Sequence, residues 1–175
     1  MELEFVAESP TDAAQHRAVT ELLQQAFANH PYSNNSEHQL VTALRQQQAL
    51  TIALLGVHQG HVVACVYASA VNLHQAEGIK RGWHCIAPVA VLPEFQKQGL
   101  GSQLMNRALV DLQSMGAKGC VLVGEAEYYQ RFGFERVHGL TSAGIPDQFV
   151  LAKSFAAEKA QGQIQYHPAF ASLEA

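Results

Sequence analysis

The stretch Val89-Ala90-Val91-Leu92-Pro93-Glu94-Phe95-Gln96-Lys97-Gln98-Gly99-Leu100-Gly101-Ser102 decides how the rest of the chain is read. An apolar run stops at a proline, a short polar stretch follows, and a helix begins at two glycines. The first turn of a helix leaves its N–H groups without partners inside the helix, and the helix dipole adds positive potential there. Glycine removes the Cβ that would hold a phosphate away from the backbone. Lys97 adds a charge beside it. Such an end suits a diphosphate held mainly by backbone, although it is also an ordinary glycine-tolerant helix start. Two rival phosphate motifs fail. The dinucleotide fingerprint needs a third glycine where Leu104 stands, and no G-x4-G-K-S/T run occurs.

Outward from this stretch the chain alternates strand and helix. Leu100, Leu104, Ala108 and Leu112 recur at four-residue spacing, so Gly99 to Met115 reads as a helix stopped by Gly116. Trp83 to Val91 before it and Gly119 to Gly124 after it read as strands, a unit that needs parallel neighbours. Glu125 to Arg131 reads as a short helix, Phe132-Gly133-Phe134 leads into another strand, and Gln148 to Ala152 and Gln163 to Tyr166 read as late strands. In the N-terminal half, Glu2 to Ala7 is a strand and residues 12–28 an amphipathic helix capped by Thr11 or Asp12. A loop follows at His30 to Asn35, and a second helix starts at Ser36. Leu50 to Val57 and His61 to Ser69 form a hairpin through His58-Gln59-Gly60. Residues 72–82, rich in polar groups and glycine, read as a turn or exposed loop. The pattern is α+β, an antiparallel half joined to a strand–helix–strand half. No repeat or linker divides it, so one domain over residues 1–175 is expected.

Composition narrows the class. The chain has 175 residues, 48% hydrophobic and 15% charged, which is the balance of a folded chain. A formal net charge of -4 disfavours nucleic acid as a partner, since that grip needs a general basic field. Cys65, Cys85 and Cys120 are odd in number and lack CxxC spacing, so buried free thiols are expected. The histidines are scattered, and no metal is expected. Met1 to Glu8 carries Glu2, Glu4 and Glu8 and lacks the pattern of a signal peptide. No apolar run nears the ~20 residues of a membrane span. A cytoplasmic location and no membrane contact follow as expectations.

Gln96-x-x-Gly99-x-Gly101 after Val89-Ala90-Val91-x-Pro93 resembles the signature of the GNAT acetyltransferase superfamily. Tyr128-Tyr129-Gln130-Arg131-Phe132-Gly133-Phe134 resembles that family's Y-x-x-x-G-F element. His30-Pro31-Tyr32-Ser33, Cys120-Val121-Leu122-Val123-Gly124 and Tyr166-His167-Pro168-Ala169-Phe170 are similar to its YhbS-like branch, so the resemblance covers essentially the whole chain. It implies a mixed, mostly antiparallel sheet of about seven strands, splayed between strands four and five and flanked by about four helices.

The resemblance also implies a function, acetyl transfer from acetyl-CoA as cosubstrate to a primary amine of a small molecule or peptide. The cofactor's arm would pair with Val89, Ala90 and Val91. Its diphosphate would take the N–H groups of Gln98, Gly99, Leu100, Gly101 and Ser102, with Gln96 and Lys97 around it. Tyr129, five residues before Phe134, stands at the family's acid position. A phenol with a pKa of about 10 is protonated at neutral pH and can donate to a departing thiolate. Packing is its alternative role, and Tyr128 is expected to point elsewhere. Tyr32, Glu37 and His84 are the acceptor-side candidates, and Glu125 and Glu127 join Glu37 and His84 as possible bases. Gly124-Glu125 stands where many members carry Asn. Arg131 either reaches a phosphate or caps its helix. The acceptor end falls in about 28–40 and 138–147, and a homodimer is compatible with this type of fold. A sensor that binds acetyl-CoA or a metabolite without catalysis is the competing function. A metal or redox centre at His84-Cys85 is disfavoured, because adjacent strand residues face opposite sides.

Overall fold

In the computed structural model, which describes residues 3–173, the long strand β3 (His61–Gln75) is the spine of a nine-stranded sheet. Met1 and Glu2, the latter expected in the first strand, lie outside the described residues, as do residues 174–175. The main path runs β1 (Glu4–Ala7), β2 (Leu50–His58), β3, β4 (Gly78–Val91), β5 (Gly119–Val123), β8 (Val150–Ser154) and β6 (Glu135–Arg136). β9 (Gly162–Gln165) pairs with β3 and with the two-residue β7 (Leu140–Thr141). Every pairing is antiparallel except β4–β5 and β7–β9.

Alternation along β3 divides the core. Val66 and Ala68 join Ile52, Ile86 and the stripe Leu100, Leu104 and Ala108 of α3 (Leu100–Ser114) on one face. Cys65 and Tyr67 face Val19, Leu22 and Leu23 of α1 (Ala13–Phe27) and Val41 of α2 (Glu37–Gln46) on the other. A third cluster sets Leu40 and Leu44 on Trp83, Cys85, Val121 and Phe170. α1 starts as its sequence suggests, the Asp12 carboxylate accepting from the Gln15 N–H at 3.1 Å. The Glu8 carboxylate locks this side. It accepts from Arg45 Nη2 at 2.7 Å, from Arg45 Nε at 3.0 Å and from the Tyr67 hydroxyl at 2.6 Å.

The expectation of a loop at 72–82 is corrected. β3 continues to Gln75 and β4 begins at Gly78, leaving a turn of only two residues. Beyond Ser69 the ladder with β2 ends, and β9 takes that edge, pairing Asn72 with Gln165 and His74 with Gln163. The polar side chains that look loop-like bond across this ladder, as His74 Nε2 does to Gln165 Oε1 at 2.8 Å. The late strand lies slightly further on, Asp147–Phe149 being a 3₁₀ turn before β8.

β4 and β5 pair only over Trp83–Gly119, His84–Cys120 and Cys85–Val121. There they part. The β3–β4 register slips between Val66–Val89 and Ala68–Ile86, so Ala87 and Pro88 together oppose Tyr67. This two-against-one step bends β4. The sheet therefore opens into a fork whose arms are Ile86–Val91 and Leu122–Val123.

Candidate active site

The edge of β4 inside the fork carries unpaired backbone. Leu92 N–H turns to β3 and donates to Val63 at 2.9 Å. Backbone direction alternates along a strand, so Val91 turns to the fork, where its carbonyl accepts from Gln96 Nε2 at 3.0 Å. A 3₁₀ turn, Pro93–Phe95, leads to Lys97 and Gly99, both left-handed with φ of 63° and 82°. Gly99 is the N-cap of α3, and its αL backbone is the reason for a glycine there. The first bond into the helix is Gln103 N–H to the Gly99 carbonyl at 3.1 Å, and no side chain caps the end. The N–H groups of Leu100, Gly101 and Ser102 thus precede the helix ladder and point out of its end.

A cleft of about 560 Å³ joins this helix end to the fork. Val89, Ala90, Val91, Gln96, Lys97, Gly99, Leu100, Gly101, Ser102 and Tyr129 all line it. Gln98 sits outside the lining, its amide donating to the Glu94 carbonyl at 3.4 Å. Phe95, Met105, Tyr128 and Arg131 complete the wall. The expectation that Tyr128 points elsewhere is corrected. α4 (Ala126–Tyr129) is a single turn running into a 3₁₀ turn, Gln130–Phe132, so neighbouring side chains both reach the cleft from its end. The shortness of the 125–131 helix was the signal in the sequence.

Tyr129 is half-buried, packed edge-on to Tyr128 with ring centroids 4.9 Å apart and to Phe134 at 6.1 Å. Burial, and secondarily Tyr128, pushes its phenol above the ordinary range, so it holds its proton through neutral pH. Gly124 fixes the ring from behind. A Cβ on Gly124 would lie 2.4 Å from Tyr129 Cε2 and 2.9 Å from Cδ2, so any larger residue displaces the phenol. The departure at Gly124-Glu125 is thus the space that Tyr129 fills. Gly124 N–H also donates to the Phe149 carbonyl at 2.9 Å.

The other candidates lie apart from this cleft. Tyr32 is 81% exposed, with its ring 6.5 Å from that of Phe149. Glu37, half-buried, accepts from the Ser33 hydroxyl at 2.6 and 2.8 Å. His84 lies in the closed part of the fork, 3.1 Å from Thr51 Oγ1, and burial lowers its pKa. Glu125 and Glu127 are exposed. The three cysteines are buried free thiols, and burial pushes that of Cys85 up to about 12. A second opening, about 620 Å³ between α1 and α2, has Arg45 in its wall, but Glu8 already neutralises that cation. No helix among the described residues is long and apolar enough to cross a membrane.

Comparison with known proteins bears on the same elements. Residues 49–136 match the family model described as acetyltransferase (GNAT) domain. The uncharacterized N-acetyltransferase YhbS of Escherichia coli K12 is 33% identical over 111 residues, which are 63% of this chain and 65% of that protein. A GNAT family acetyltransferase from Brucella melitensis, solved in complex with acetyl-CoA, superposes with a TM-score of 0.82 at 32% identity, covering 97% of this chain and 98% of the other. The structure of E. coli YhbS in complex with CoA gives 0.84 at 27% identity, covering 98% and 93%. Since the family match runs from the start of β2 to β6, across both the fork and the cleft, the chain belongs to the GNAT acetyltransferase family.

Proposed function

We propose that this protein is an N-acetyltransferase that moves the acetyl group of acetyl-CoA directly to a primary amine of a small molecule or peptide. One observation carries the reading. Tyr129, the outward N–H groups of α3 and the open edge of β4 line a single cleft. The residues fit the cofactor part by part. Gly101 carries no side chain into the cleft, and a Cβ there would meet nothing closer than 3.8 Å. Acetyl-CoA bound there supplies the acetyl group as a reactive thioester.

The rest is the work of the chain. The N–H groups of Leu100, Gly101 and Ser102 hold the diphosphate with the dipole of α3 behind them, and Lys97 adds charge beside them. Val89 and Val91 offer backbone to the arm as a neighbouring strand would. Tyr129 keeps its proton at neutral pH and gives it to the departing sulfur. Tyr32 and Glu37, on the α1–α2 side of the fork, are proposed to meet the acceptor. His84, on the strand that leads into the fork, is the third residue proposed for the acceptor side.

The test is thiol release from acetyl-CoA across a panel of amines and peptides, with Tyr129→Phe beside the wild type. Turnover with at least one amine and a loss in the variant at unchanged acetyl-CoA affinity is the expected outcome. Tight binding without release for any acceptor assigns the cleft to a sensor instead.

A further inference from the structure

Arg131 is the cation in the cleft to which the donor reading gives no task. Its Nε donates to the Tyr128 carbonyl at 2.8 Å, and its guanidinium carbon lies 4.2 Å from the centre of the Tyr128 ring. The Nε bond closes the short helix, and the face of the ring holds the cation beside it. Tyr128 spans the gap to α3, its hydroxyl 3.8 Å from where a Cβ on Gly101 would stand. None of the ion pairs among the described residues includes Arg131. Its outer N–H pair and its charge are therefore uncompensated.

Position along the cleft supplies the rest. Tyr129 is half-buried in the fork, whereas Arg131 is exposed at the mouth, across from the glycine turn. Coenzyme A has the same order of parts: thioester, amide arm, diphosphate, then a phosphomonoester on the ribose at the far end. The backbone of α3 and Lys97 already serve the diphosphate. A guanidinium offers two parallel N–H donors, the match for a phosphomonoester dianion, which a flexible ammonium does not reproduce. We propose that Arg131, carried on the face of Tyr128, binds the ribose phosphomonoester and makes the protein select coenzyme A over 3′-dephospho-coenzyme A. This assignment rests on the cleft being the acetyl-CoA site.

Calorimetric titration with coenzyme A and with 3′-dephospho-coenzyme A tests it at fixed ionic strength. The wild type should prefer coenzyme A by about tenfold, the scale of a charged hydrogen-bonded contact at an exposed rim. Arg131→Ala should bring the ratio near one by weakening coenzyme A alone. Arg131→Lys should keep part of the preference, and Tyr128→Phe, which retains the ring, nearly all of it. The preference should shrink as pH falls through about 6, where the phosphomonoester dianion takes up a proton and becomes a monoanion. Equal weakening of both ligands in Arg131→Ala overturns the assignment, as does a wild type that binds both alike; in either case the cleft remains a coenzyme A site. Binding of neither ligand by the wild type overturns the cofactor reading and the assignment together. If Arg131→Ala melts below the titration temperature, the ratio in Arg131→Lys decides.

Discussion

β4 and β5 are one pair of strands with two fates. Over Trp83–Cys85 and Gly119–Val121 they are hydrogen-bonded and buried, with Trp83 fully enclosed. A few residues later the two have parted, and β4 lines an open cleft. The composition of the strands does not change, since Val89, Ala90 and Val91 are as apolar as Cys85 and Val121. What changes is whether the backbone has a partner. The closed end is specified by packing, while the open end is specified by what is missing: a ladder beside Val89 and Val91, and a Cβ at Gly101 and at Gly124. Substitutions should therefore cost stability at the closed end and chemistry at the open end.

The largest effect is expected from Gly119→Ala. Its new Cβ would stand 2.4 Å from Trp83 Cζ3 and 2.5 Å from the Lys153 carbonyl, which is backbone and cannot yield cheaply. A loss of about 3 kcal/mol is expected, lowering Tm by about 6–12 °C in a chain of this size. The folded fraction should still bind acetyl-CoA; a folded variant that no longer does breaks the separation of the two ends. Tyr129→Phe should do the reverse, reducing kcat about 100-fold with Tm nearly unchanged.

Gly124→Ala joins the two effects. It should lower kcat about tenfold by shifting the Tyr129 ring, on the scale of a misplaced catalytic group. In the Tyr129→Phe background the same change should cost almost nothing further. Additive losses would mean that Gly124 acts on something other than the phenol.

The smallest effect concerns pH at the closed end. Burial lowers the pKa of His84 from 6.5, so the unfolded chain takes up that proton first. Its contribution to stability is present above about 6.5 and is lost as pH falls through the depressed folded value. The fall in Tm between pH 7.5 and 5.5 should be shallower in His84→Gln.

The sequence yields most where a short-range rule decides the structure. The four-residue spacing from Leu100 to Leu112 marks α3, and Gly99 before it marks the left-handed turn at its start, because helix period and αL backbone are local. It fails at 72–82, where Asn72 and His74 pair with β9, some ninety residues on in the chain. The mixed order predicts a parallel neighbour for β4 and the family resemblance a splay between strands four and five, but the step at Ala87–Pro88 where they part is set by the β3–β4 register. Helical spacing sends Tyr128 away from Tyr129, but α4 is a single turn and both side chains line the cleft. The need for Gly124 is invisible in sequence: nothing local says that a ring five residues on lies where a Cβ would be.

The hydrogen bond from Gly124 N–H to the Phe149 carbonyl uses no side chain. Gly124, whose missing Cβ leaves room for the Tyr129 ring, is thus tied to the turn before β8 through backbone alone. A carbonyl is common to all amino acids. The side chain at 149 and its neighbour Tyr32 can therefore be exchanged without disturbing the seat of the Tyr129 ring.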